Sequence, residues 1–97
     1  MQFLAISRRR TERFDDAAFS AHIDAERERV RELYKEGIVR SIWSRADVAG
    51  GVMLLECADE AAARAAFDSL PLARLGMLDL QLVPLNPYPA FFPRTAW

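Results

Sequence analysis

Histidine and cysteine occur once each in the 97 residues, glycine four times, and neither charge dominates, with 13 Lys and Arg against 14 Asp and Glu. A single cysteine excludes an internal disulfide, and a single histidine argues against a zinc site built from protein ligands alone. The net charge of −1 argues against a nucleic-acid partner, for which a strong basic excess is expected. No stretch approaches the ~20 apolar residues that span a bilayer. Met1 leads straight into a strand-like run, without a basic leader and cleavage site. The expectations are therefore a cytoplasmic protein with no membrane or nucleic-acid partner, no metal and no cofactor. What remains is the composition of an ordinary globular protein, 52% hydrophobic and 28% charged. The length fits one domain, 1–97. So short a chain buries only about 60–65% of its unfolded surface, so association with further copies would help it.

Element signals run in a clear order. Gln2 to Ser7 is short and apolar, as a strand would be, and the arginine-rich stretch to Arg13 is its exit loop. That stretch, with Arg8-Arg9-Arg10 at its heart, reads as a solvated edge or an anion-facing loop. Phe14 to Gly37 reads as one long helix, capped by Asp15, stapled by Phe14 against Phe19, and ended by Gly37. Ile38 to Arg45 and Gly51 to Cys57 are β-rich runs joined by a hairpin turn over 46–50. Asp59 opens a second helix with a stripe of Ala63, Ala66, Phe67 and Leu70, and Pro71 stops it. Met77 to Leu85 is the last strand. Strand, helix, strand, strand, helix, strand is the ferredoxin-like α+β order, a four-stranded antiparallel sheet with two helices on one face.

The first helix carries the main chemical lead. Its apolar residues Phe19, Ile23, Val30, Leu33 and Tyr34 recur at three- and four-residue steps. Three residues on from Ile23, and four before Val30, stands Glu26, with His22 one turn earlier. A carboxylate on or beside a buried face usually has a partner or a task. The partner reading is a bridge to Arg40 or Arg27 that ties helix to sheet. The task reading is a pocket lined by Glu26, Tyr34, Arg40 and Trp43 with His22 at its edge. Arg40 and Trp43 are three apart, so both reach one site only if the strand bulges or the arginine wraps the strand end. His22 also fits a helix-surface histidine, and Cys57 a small buried apolar residue. Glu56 and Asp79 read as barrel-facing polar groups or rim residues.

The sheet's other face must also be covered. A bare face holding Phe3, Trp43, Val52 and Leu54 is too large an apolar patch for a monomer, and two such sheets packed face to face remedy it. From Pro84 the chain holds four prolines and the anchors Leu85, Tyr88, Phe91, Phe92 and Trp97. This suits an arm laid over a neighbouring subunit, or else a tail folded on its own.

The stretches ELYKEGIVRSIW (Glu32 to Trp43) and LPLARLGMLDLQLVPL (Leu70 to Leu85) resemble muconolactone isomerases in order and separation. The resemblance implies a dimeric α+β barrel, often assembled further, and a place in aromatic catabolism. It also implies proton transfer between two carbons of an unsaturated lactone, without a cofactor. Glu26 matches a glutamate of that family's first helix and would be base, then acid. Arg40 and Trp43 match the second strand's arginine and tryptophan, and Asp79 falls close to an aspartate of the last strand. Arg40 would hold a carboxylate or stabilise an oxyanion, and Trp43 and Tyr34 would wall the site. Ser41 stands where that family carries a histidine, and Tyr88 where it has a histidine-proline pair, which leaves the substrate open. The same small barrel also hosts cofactor-independent monooxygenases of polycyclic phenols, and a non-catalytic oligomeric binding protein is a third reading.

Overall fold

The computed structural model describes residues 1–91. Its elements are β1 (Gln2–Arg9), α1 (Asp16–Ser20), α2 (Ile23–Lys35), β2 (Val39–Ser44), β3 (Gly51–Glu56), α3 (Glu60–Asp68), α4 (Pro71–Arg74) and β4 (Leu78–Leu85). A 3₁₀ turn at Pro89–Phe91 follows. The strands form one antiparallel sheet in the order β2-β3-β1-β4, which is the ferredoxin-like α+β arrangement the sequence implied. The last part of the expected arm, 92–97, lies outside the described residues. No helix among the described residues is long and apolar enough to cross a membrane.

Local signals account for most boundaries. Asp15 Oδ1 accepts from the Ala18 N–H at 2.9 Å, and Asp59 Oδ1 from the Ala62 N–H at 2.8 Å, so both capped starts are present. Phe14 meets Phe19 edge-on at 6.1 Å between ring centroids. Gly37 takes the left-handed conformation (φ 79°) that closes α2.

Four local expectations need correction. The long first helix is two, because Phe19 buries with Leu72 and Met77 while Leu33 buries in the main core, and one straight rod cannot serve both clusters. Tyr34 is 66% exposed, one step round the helix from fully buried Leu33. Pro71 ends α3 but also occupies the first position of α4, where its missing N–H costs nothing. Finally, β1 runs on to Arg9, because Arg8 and Arg9 pair with Asp79 and Leu78 of β4.

Register settles which residues share a face. Phe3, Ala5 and Ser7 alternate onto the helix side, and Phe3 is fully buried there with Leu55, Val39, Leu33 and Phe67. Phe3 is therefore core, not part of the bare face. Across from these, Met53, Leu55, Leu80 and Leu82 also face the helices. Leu4, Ile6, Val52 and Leu54 form the outer face, with Trp43 paired to Val52 and Val83 to Leu4. The register of β2 slips between Val39 and Ser41, making Arg40 the extra residue of a β-bulge. Without the bulge Trp43 would share the face of Val39; with it, Ile42 and Ser44 do.

At the top of the sheet Gly50 passes hard against β1. A Cβ at this position would stand 2.1 Å from the Ser7 carbonyl oxygen. Gly50→Ala is therefore expected to destabilise the fold by roughly 1–3 kcal/mol, the usual range for forced overpacking, as read by urea denaturation.

Candidate functional site

A cleft of about 420 Å³ opens on the helix side of the sheet, between α2, α4 and the Ser7–Arg9 end of β1. Its floor is apolar, from Ile23, Val30, Met53, Phe67, Leu70 and Leu72, and its polar groups are few: Glu26, Arg9, Arg27, Arg31, Ser7 and Ser44. The size suits a small organic molecule.

Glu26 reaches the cleft because α2 turns the Ile23, Glu26, Val30 line toward the sheet. Its Oε1 accepts the Leu72 N–H at 3.0 Å, so the first turn of α4 holds the carboxylate in place. It forms no ion pair with any described residue, which corrects the expected bridge to Arg40 or Arg27. Burial pushes the Glu26 carboxyl above the usual carboxylate range. The Leu72 N–H and the charges of Arg9 and His22 pull in the other direction. The result is a half-buried base with one oxygen anchored and the other without a hydrogen bond from a described residue.

The remaining expected residues are scattered. His22 caps α2 through its backbone, its carbonyl accepting the Glu26 N–H at 2.9 Å, and its charge reaches Glu26 without lining the cleft. Trp43 lies on the border, 54% exposed, and meets the cleft from the free edge of β2. Tyr34 and Arg40 do not line the cleft. Arg40 is exposed at the bulge, and its side chain makes no hydrogen bond or ion pair with a described residue. Glu56 and Asp79 sit on the outer face near opposite ends of β1. Glu56 accepts from the Met1 ammonium at 2.7 Å, and Asp79 binds Arg8 and, at 2.7 Å, Arg10 Nε. These two arginines hold the Asp79 carboxyl below its usual range.

Sequence reasoning missed Arg9 and Ser7. Alternation was the available signal: continuing Phe3, Ala5, Ser7 by two puts Arg9 on the buried face. Ser7 Oγ accepts the Gly51 N–H at 3.1 Å and donates to the Gly51 carbonyl at 3.3 Å, fixing this end of the cleft.

Comparison with curated proteins gives no significant match. The sequence model described as muconolactone delta-isomerase matches residues 1–90, spanning all four strands and all four helices. The chain therefore belongs to the muconolactone delta-isomerase family.

Proposed function

We propose that the protein is an acid–base isomerase that moves a proton between two carbons of a small unsaturated lactone or related carbonyl compound. The observation that carries this reading is the state of Glu26: half-buried, raised in basicity, free of ion pairs with the described residues, and facing a cleft with an apolar floor. Such a carboxylate takes the proton from a carbon made acidic by the neighbouring carbonyl. The electron pair moves into the conjugated enolate, and the same carboxyl returns the proton at the far carbon of that system. No electron leaves the substrate and no co-reactant is needed.

Incubating the protein with a butenolide in deuterium oxide tests this, with ring-proton exchange and double-bond migration followed by NMR. Enzyme-dependent exchange without oxygen consumption is expected. Oxygen uptake with a phenolic substrate, or no exchange above the buffer rate, would refute the reading.

The working form proposed is a homodimer or higher oligomer, built on the outer sheet face. Leu4, Ile6, Val52, Leu54 and Val83 lie there side by side, and Trp43 adds its exposed ring. A contiguous patch of this kind on a small domain marks an interface.

A further inference from the structure

We infer that Arg9 is the anion-binding, specificity-determining residue of the cleft, holding the carboxylate of a ligand whose reacting carbon lies against Glu26. The inference rests on the proton-transfer reading for the placement of the reacting carbon. It concerns a different residue and a separable property, the choice of ligand.

The three consecutive arginines are sorted by the pleat of β1 and the turn after it. Arg8 is engaged on the outer face by Glu12 and Asp79. Arg10 binds Asp79 and, at 3.0 Å, the Gly76 carbonyl. Arg9 points the other way, lines the cleft, and has no hydrogen-bond acceptor or ion-pair partner for its guanidinium among the described residues. Its backbone is nevertheless firmly held, the N–H donating to the Ala49 carbonyl at 2.8 Å and the carbonyl accepting from Thr11 N–H at 2.9 Å.

The guanidinium itself is steadied from one side. Its central carbon lies over the ring of buried Phe19, 5.1 Å from the centroid, a cation–π contact. The N–H donors lie in the plane of the guanidinium and are left over, in the fork geometry that matches a carboxylate. A half-buried cation with unfilled donors and a preset orientation is a poor structural element and a good receptor. The other cleft arginines do not offer this. Arg31 is tied to Glu28 at 3.2 Å, and Arg27 is an exposed residue at the rim.

The two ends of the cleft are also coupled through charge. The groups whose charge acts on Glu26 are Arg9 from β1 and His22 from its own helix, while α4 contributes the Leu72 N–H. A carboxylate seated on Arg9 cancels part of the field that favours ionised Glu26. A correctly placed anionic ligand therefore makes its own base stronger.

The test compares a butenolide bearing an acetate side chain with its methyl ester, on the full chain and on Arg9→Met, Arg9→Lys, Arg9→Gln and Arg40→Met. The parent should favour the acid in KM, and Arg9→Met should raise KM for the acid about 10–100-fold, the range for losing charge-assisted hydrogen bonds. On the ester, the rise in KM should be much smaller than on the acid, since no charge is recognised there. Arg9→Lys should restore part of the preference and Arg9→Gln none. The acid limb of kcat/KM on the ester should move to higher pH in Arg9→Met, because a positive charge near Glu26 is gone. Equal losses on both probes, a parent blind to the carboxylate, or loss of preference in Arg40→Met instead would each overturn the assignment. Titration calorimetry with the two probes separates the two readings. If the parent exchanges no protons yet binds the acid in an Arg9-dependent way, the proton-transfer reading fails and the anion site stands. If Arg9→Met does not fold, Arg9→Gln carries the same expectation.

Discussion

Glu26→Gln is expected to lower proton exchange by about 10²–10⁴-fold, the usual cost of losing a positioned general base, with no loss of thermal stability at neutral pH. The amide keeps the shape of the carboxyl, and its oxygen can still accept the Leu72 N–H that now anchors Oε1. The pH dependence follows from the raised position of Glu26. A carboxyl whose folded pKa lies above its unfolded value of ~4.3 stabilises the fold fully only below that value. That contribution fades as pH climbs through the folded value, because the ionised form is the one burial disfavours. The Gln variant does not ionise, so its melting temperature should match or exceed the parent's at pH 7–8, with the gap closing toward pH 4. In the parent, kcat/KM should rise with pH through the raised pKa of Glu26. A variant that is less stable at pH 7 and fully active in exchange would make Glu26 a structural tie and end its catalytic assignment.

The second large effect concerns assembly. Leu54 lies on the outer face between Leu4 and Ser41, its register partners on the neighbouring strands. Leu54→Asp should turn the assembly into single 11.0 kDa chains in sedimentation at micromolar concentration. A charge placed in the middle of an apolar interface removes a central contact, worth roughly 2–4 kcal/mol, and leaves a desolvated carboxylate besides. The parent should sediment at twice the chain mass or more. A parent found only as single chains would refute the dimer. A Leu54→Asp variant that stays assembled would move the interface elsewhere.

Glu26 and Arg9 differ in how visible they are in the sequence. Glu26 stood out because helical periodicity is regular, and a charge in an apolar line breaks it. The caps at Asp15 and Asp59 were legible for the same local reason: a side chain and the amide it accepts from are three residues apart. Arg9 was hidden because its environment is made by partners remote in sequence. Pairing with Leu78 carries β1 through the arginines, whereas composition alone reads three arginines as a loop. The division between α1 and α2 was equally hidden, since no proline or glycine marks it and the two buried clusters that require it are tertiary. The bulge at Arg40 likewise has no glycine to announce it, so the face of Trp43 could be stated only as a condition.

The bulge has one more consequence, for how the sheet is kept finite. Strands β2 and β4 are its two rims, and an open rim offers unpaired amides on which another strand can template. On β2 the repeat is broken at Arg40, where an extra residue carries a positive charge and spoils the ladder an incoming chain would need. On β4 the corresponding interruption is Pro84, which has no N–H to donate. Growth edge to edge, the route to fibrils, is thus obstructed on both sides, while stacking through the apolar outer face is not. If copies assemble through the outer face as proposed, these interruptions favour closed particles over filaments.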